Sequence, residues 1–503
     1  TARHRDPADR GGSRDPERAR VRHDQESGLF RAGVARRTVE IELGMRGPGM
    51  RAWCEPFVAV ETELTITALV LSWEDSTIVV LGCDLGLLGF GAAGKIRASV
   101  AETVGTPVSH VLLNCSHTHA APATPEWLTA DDDEQRAMEQ RYEARIISAA
   151  TDAAAEASTT LVPARLGSGW GEAPIGVYRR EIGPDGRDHL GEVPDRPIDR
   201  SVGVIRVDDP EGQPIATAFS FGCHPVLQGP RTQATSSDYP GAARAVIERT
   251  GGLSLFLQGC GGNINPRYGI GFEIDCRDTK DREGAILGSE VVKVASGIRT
   301  NVRRGPRTPL GGVGISLWPW LPVDGPAGHR LGAVDQTLAL PLSELPSLET
   351  ALEIDTRYRD ELAGLREKRA PKMDISVARR WAQWSERLVS AVREGRTTSD
   401  VIIQAMRIDD MALLAISMEP FFETGLAIKE RSPFAHTQVL GYSNGYAGYL
   451  PRAEDHPAGG WSVHERYAVP DLYPQSWLQP VILRPDSEQL VVEASLALLR
   501  QLV

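Results

Sequence analysis

Two histidines spaced by one residue, in Ser116-His117-Thr118-His119, follow directly on the apolar run from Val108 to Leu113. The run reads as a buried strand, so the pair falls where a strand gives way to a loop. Alternate residues of an extended backbone face the same way, and the spacing predicts that both imidazoles point into one cleft. Such a pair is a metal site, an acid–base pair or a coincidence, and only distant segments can supply the partners that decide. His224 precedes Pro225 just past the apolar stretch from Pro214 to Phe221, Glu419 follows the stretch from Met411 to Ile416, and a tyrosine-rich loop runs from Tyr442 to Pro451. Two histidines and a carboxylate suit zinc, which at catalytic sites leaves one position open to water. Asp84, closing the strand before the histidine pair, is expected to orient a ligand histidine from behind.

These residues need a scaffold that gathers strand ends. Arg37 to Leu43 alternates like a strand, and Glu63 to Leu71 and Thr77 to Gly82 read as two more. Leu85 to Val104 reads as a loop and helix before the strand Val108 to Leu113. A helix between two apolar strands is a βαβ unit, so part of the sheet is predicted parallel. Further strands are expected at Ser201 to Val207 paired with Pro214 to Phe221, at Leu253 to Leu257, at Ser399 to Met406 paired with Met411 to Ile416, and at Thr437 to Gly441. Helices are expected at Glu134 to Ala155 and Ala285 to Ser296, and after Ser236, where Asp238 would cap and Pro240 fit the first turn. Leu342 to Gly395 reads as an outer helical layer broken near Pro371. The expected class is α/β, with mixed, partly parallel β-sheets flanked by helices. In such sheets sites form at the carboxyl ends of strands, where every candidate falls. Gly167 to Arg200 is expected to be loop, its Gly176-Val177-Tyr178-Arg179-Arg180 offering a cation. Thr1 to Ser27, nearly free of large apolar residues, is expected to be a disordered or loosely attached arm. With no repeat and no second cluster of signals, 28–503 is taken as one catalytic domain.

A net charge of −12 over 503 residues argues against a general nucleic-acid or anionic-membrane role. No apolar run is long enough to span a bilayer, and no signal-peptide pattern opens the chain, which leads to an expectation of the cytoplasm. Six scattered cysteines without a CxxC pair argue against a disulfide scaffold or a thiolate zinc knuckle. Gly89-Phe90-Gly91-Ala92-Ala93-Gly94-Lys95 imitates both a dinucleotide motif and a phosphate-binding loop. It lacks the Ser or Thr after the lysine and the acidic residue at the next strand end, so it reads as a loop and helix start.

Taken in order, Ser116-His117-Thr118-His119 with Pro122, His224-Pro225, Ser237-Asp238-Tyr239-Pro240-Gly241, Gly262-Asn263-Ile264-Asn265-Pro266, Glu419 and Asn444-Gly445-Tyr446-Ala447-Gly448-Tyr449 resemble the neutral ceramidase family and its bacterial relatives. That family consists of zinc amidases that cleave N-acyl bonds. The resemblance implies a neutral-ceramidase-like catalytic domain binding Zn2+ through His117, His224, Glu419 and Tyr449. Tyr446 is a rival to Tyr449, because the Asn-x-Tyr-x-x-Tyr string lets the alignment slip. It also implies that His119 is a neighbouring catalytic histidine, that Arg179 lies near the scissile carbonyl (with Tyr178 where an Asn usually precedes it), and that Tyr467 polarises that carbonyl. Two departures stand out. Asn265 takes the position of the family's serine, and Asn263 that of an Asp; an amide cannot act as a nucleophile, though it can donate to an oxyanion. The sequence also stops where the family's C-terminal β-sandwich would begin, which turns the expectation away from ceramide toward a soluble small molecule.

The expected activity is therefore zinc-dependent hydrolysis of an amide (N-acyl) bond. His119 would act as base and then acid, and Arg179, Tyr467, Asn265 and the backbone amides near Gly261-Gly262 would stabilise the oxyanion. An ester or lactone hydrolase would use the same residues. A non-catalytic binding protein retaining the metal site, and a cysteine hydrolase using Cys115 or Cys260, are the other readings. A homo-oligomer is compatible with all of them.

Overall fold

The computed structural model describes residues 30–47, 55–125, 133–184, 186, 188–229, 231–271, 276–312, 314–322, 330–460, 463 and 481–503. The arm expected at 1–27 and Tyr467 lie outside these residues. Eight strands form the main sheet, in the order Leu253–Gln258, Pro214–Phe221, Ser201–Asp208, Val162–Glu172, Phe30–Thr38, Thr65–Trp73, Ser76–Cys83 and Val111–Cys115. It is parallel at each edge, 214–221 beside 253–258 and 76–83 beside 111–115, and antiparallel between. A second sheet orders Leu331–Pro341, Thr398–Ile408, Met411–Ile416 and His436–Leu440, its last pair parallel. The mixed, partly parallel α/β architecture is the one expected.

Period-two alternation explains how the layers stack. Leu69, Leu71, Ile78, Val80 and Leu112 face Met406, Leu413 and Leu440 of the second sheet. Their neighbours Val70, Val79, Leu81, Val111 and Leu113 face the opposite way, against Ile96 and Val100 of helix Phe90–Val104 and Tyr142 and Ile146 of helix Asp133–Thr159. Each such aliphatic side chain, fully buried, contributes roughly 1.5–3 kcal/mol. Helices Asp238–Ile247 and Arg277–Gly297 pack closely because Gly284 and Gly288 face the partner helix. A Cβ there would lie 2.7 Å from the Tyr239 carbonyl oxygen or 2.6 Å from that of Ala243. The outer layer is two helices, Leu348–Glu367 and Lys372–Arg393, broken at Pro371 as expected and joined by Tyr358 stacked on Trp381. Among the described residues no helix is long and apolar enough to cross a membrane.

Three local expectations are corrected. The first strand is Phe30–Thr38, not Arg37 to Leu43; its pairing with Thr65–Trp73 ends at Thr38↔Thr65. Val108 to His110 is a 3-10 turn, so the next strand starts at Val111 and runs on to Cys115. Gly176 to Arg180 belongs to a strand, Gly176–Ile182, rather than a loop, because it pairs on both sides, with Ile264–Pro266 and Asp188–Val193.

Asn114 joins the strand ends. Its Nδ2 donates to the carbonyls of Gly441 (2.8 Å) and Gln258 (3.2 Å) and to Ser443 Oγ (3.0 Å), while its Oδ1 accepts from the Gln258 amide (2.7 Å). The residue is fully buried. In Asn114→Leu these groups lose their partner, and each buried polar group left unpaired costs about 1–3 kcal/mol. The variant is expected to lose at least about 3 kcal/mol of unfolding free energy, read as a lowered midpoint in urea. An unchanged midpoint would show that the carboxamide is not the clamp.

Candidate functional site

The histidine pair does not converge for the reason its spacing suggested. His117 is left-handed (φ 66°), so it and His119 are not alternate residues of a strand. The turn nevertheless brings their Nε2 atoms to 3.2 Å. It is held by the His117 amide on the Leu85 carbonyl (2.9 Å) and the His119 amide on the Pro225 carbonyl (3.2 Å), which ties it to the loop carrying His224. That loop is fixed in turn by Tyr239 Oη donating to the Cys223 carbonyl (2.6 Å) and Gln258 Nε2 donating to the same oxygen (2.8 Å).

Each of the two fully buried imidazoles has its Nδ1 against a backbone carbonyl: His117 on Gly86 (2.9 Å), His224 on Gly261 (2.8 Å). A carbonyl can only accept, so Nδ1 carries the proton and Nε2 presents its lone pair. The Nε2 atoms of His117 and His224 lie 3.7 Å and 3.3 Å from the two carboxylate oxygens of Glu419. Ligand atoms of His117, His119 and His224 all fall within 4.8 Å of one another. Two imidazole nitrogens 3.2 Å apart require a proton or a cation between them. Inward Nε2 lone pairs with locked Nδ1 atoms, beside a buried carboxylate, are a donor set that fits a divalent metal such as zinc. Burial pulls both His117 and His224 down to about 4, with Arg179 adding to the effect, so both rings are neutral at pH 7. Burial would raise the Glu419 carboxyl, but the facing His117, His224 and Arg179 hold it well below its ordinary value.

Glu419 is surrounded by phenols. Tyr446 donates to Oε1 (2.8 Å), Tyr442 to Oε2 (3.3 Å), and Tyr449 also shares a hydrogen bond with the carboxylate. Glu419 and Tyr449 are directly paired in a short parallel bridge. The structure thus brings both rival tyrosines to the same carboxylate. Tyr442, not singled out in the sequence, also stacks on His117 (ring centroids 4.5 Å apart, 28°). Tyr442 and Asn444 are left-handed too, so the loop is tightly wound. Its string of tyrosines was legible, but nothing in the spacing says which ring lies under the histidine. The carbonyls of Gly86 and Gly261 were invisible for a simpler reason: backbone acceptors leave no residue signature.

Arg179 is buried among these groups. Its guanidinium donates to the Gly262 carbonyl (2.7 Å), Asn265 Oδ1 (3.0 Å), Tyr449 Oη (3.1 Å) and His224 Nε2 (3.1 Å). Asn265 thus meets the site through Arg179. Three expectations fail here. The amides of Gly261 and Gly262 donate to the Gly259 and Pro420 carbonyls (both 3.0 Å), so they are not free oxyanion donors. Among the described residues Asp84 orients no histidine; Thr65 and Arg244 (2.5 Å) take its Oδ2. Asp238 is the first residue of its helix, not the cap; it is left-handed (φ 56°), and its carboxylate accepts from the amides of Gln228 (2.7 Å) and Tyr239 (2.6 Å).

No protein-family model matches the chain, and no curated protein matches it by sequence. Solved structures do match. The neutral ceramidase from Pseudomonas aeruginosa superposes with a TM-score of 0.62 at 17% identity, covering 94% of this chain and 75% of that one. A ceramidase complexed with C2 gives a TM-score of 0.62 at 15% identity with the same coverage. The fold is neutral-ceramidase-like.

Cys115, Cys223 and Cys260 flank the site but are buried. Burial pushes the Cys115 and Cys260 thiols up to about 12 and Cys223 well above the ordinary thiol value, the reverse of an activated nucleophile. Iodoacetamide treatment of the native protein at neutral pH is expected to leave all three unmodified, read by peptide mass spectrometry. Rapid alkylation of Cys115 or Cys260 with loss of function would restore the cysteine-hydrolase reading.

Proposed function

We propose that this chain is a zinc-dependent hydrolase of amide (N-acyl) bonds in a soluble small molecule. The observation that carries the reading is the convergence of the Nε2 atoms of His117 and His224, each with its Nδ1 on a backbone carbonyl, on the Glu419 carboxylate, with His119 beside them. The likeness of the fold to ceramidases, enzymes named for an N-acyl substrate, supports the choice of bond. His117, His224, Glu419 and Tyr449 would hold the ion. Bound there, zinc would polarise a substrate carbonyl and bring the pKa of water to about 7.

The protein's own groups do the rest. His119, less buried than its two partners, takes a proton from the attacking water at its imidazole and returns it to the leaving amine. Arg179 faces the same space with a fixed positive charge, aimed by the Gly262 carbonyl and Asn265 Oδ1, and stabilises charge developing on the carbonyl oxygen. Asn265 acts by positioning Arg179. Tyr467 is assigned as a second donor to that oxygen. Tyr442 and Tyr446 hold the Glu419 carboxylate in one orientation.

Elemental analysis of the purified protein is expected to find about one zinc per chain, lost in both His117→Ala and His224→Ala while circular dichroism stays unchanged. Metal-free wild-type protein would overturn the assignment. In a panel of N-acyl amides and matched esters, His119→Ala is expected to lower kcat by about 10²–10⁴-fold while retaining the metal. Turnover of esters alone would replace the amide with an ester or lactone.

A further inference from the structure

Beyond the catalytic reading, and independent of it, we propose that the two-stranded ribbon spanning residues 302–322 is a self-association arm that docks on a second copy of this chain. The ribbon is built from Val302–Arg304 paired with Trp320–Pro322 and Thr308–Leu310 paired with Ile315–Leu317, bridged by the Gly305 amide on the Pro319 carbonyl (2.7 Å). Root to tip it is roughly 30 Å long at the rise of a strand. Its tip is glycine in left-handed turns, Gly312 (φ 84°) and Gly314 (φ 62°), and a Cβ on either would meet nothing within 4 Å. An isolated two-stranded ribbon is marginal in water. This one nonetheless leaves Leu310, Ile315, Leu317, Trp318 and Trp320 exposed, the last at 54%. A cluster of that kind on a soluble chain marks an interaction surface.

Charge identifies the occupant. Residues 302–322 contain Arg303, Arg304 and Arg307 and no acidic residue, in a chain of net charge −12. Arg304 lies over both indoles, 5.6 Å from each ring centroid. No ion pair to these arginines is found among the described residues. At the same end of the molecule is a groove of about 490 Å³ whose lining includes Trp73, Glu74, Asp75, His110, Arg330 and Leu331. Glu74 and Asp75 are exposed and likewise without an ion-pair partner among the described residues. Arg330 is turned to the main-chain oxygen of Val503 (3.0 Å), which leaves Glu74 and Asp75 as the unpaired charges of the groove; they complement a basic, aromatic arm, and a two-fold axis at this end would let two copies exchange arms.

An anionic lipid surface has the same chemistry as the groove, but position disfavours it. The roots of the arm sit where strands begin, not where they end. Thr300 bonds Asp208 (2.6 Å), which pairs with Pro214, and Leu331 pairs with Ile408 beside Met411. The candidate site lies past Phe221 and Ile416, at the opposite ends of those strands. A bilayer under the arm would be held about 20–25 Å from the site at the rise of a strand.

The test is oligomeric state by size-exclusion chromatography with light scattering over a concentration series. Wild-type protein is expected to be a dimer. Trp318→Ala with Trp320→Ala, and separately Glu74→Lys with Asp75→Lys, are expected to raise its dissociation constant at least tenfold. Adding Arg304→Glu and Arg307→Glu to the groove variant should restore it. Circular dichroism checks that each variant is folded. A monomeric wild type, a dimer indifferent to the arm tryptophans, or an arm-dependent binding to phosphatidylglycerol vesicles by protein that remains monomeric would overturn the proposal.

Discussion

The carbonyl oxygens of Gly86 and Gly261 take the Nδ1 protons of His117 and His224, and from this much of the site follows. An imidazole has one proton to give when neutral, so fixing it at Nδ1 leaves Nε2 as a lone pair aimed inward. Burial keeps both rings neutral by disfavouring the imidazolium. The same burial would disfavour the Glu419 carboxylate, but here the facing His117, His224 and Arg179 reverse the outcome, and phenols donate to its oxygens. One low-dielectric space thus makes two bases available and keeps one anion charged, because hydrogen-bond donors are arranged around the anion and acceptors behind the bases.

That arrangement needs backbone in unusual conformations. His117, Tyr442 and Asn444 are all left-handed without being glycine, and each such residue costs about 1–3 kcal/mol unless its surroundings fix it. The surroundings here are specific. Asn444 receives the Leu113 amide on its Oδ1 (3.0 Å) and donates to Gln404 Oε1 (2.7 Å), while Tyr442 donates its amide to the Met418 carbonyl (2.8 Å). Strain concentrates where strand ends meet, and the hydrogen bonds of Asn114 hold those ends together.

Much of this was legible from residue order. Strands with uninterrupted apolar runs, such as Leu253–Gln258 and Met411–Ile416, were read within a residue or so because burial on both faces leaves a composition signature. The segments carrying His117, His224, Glu419 and the tyrosines were read as meeting, since strand ends on one side of a sheet share a cleft. What failed was whatever depends on conformation rather than type. Arg37 to Leu43 alternates convincingly, yet the strand ends at Thr38 because its partner ends there. Asp84 and Asp238 look available in sequence, but their carboxylates are taken by Arg244 and by main-chain amides. Gly261 and Gly262 look like an oxyanion loop, but their amides are used to hold the turn itself.

The hydrogen bonds of Asn114 also have a consequence in time. Its carboxamide bonds Ser443, 329 residues later in the chain. During synthesis at about 5–20 residues per second, the edge strand ending in Asn114-Cys115 must wait roughly 15–65 s before its clamp leaves the ribosome. Gln258 follows Asn114 after 144 residues, but the partner loop comes only at the end of that wait, and Glu419, the carboxylate the histidines face, only shortly before it. The nascent chain therefore passes through a long interval with an unpaired apolar edge, a period in which a chaperone that covers such edges would decide the yield of folded protein.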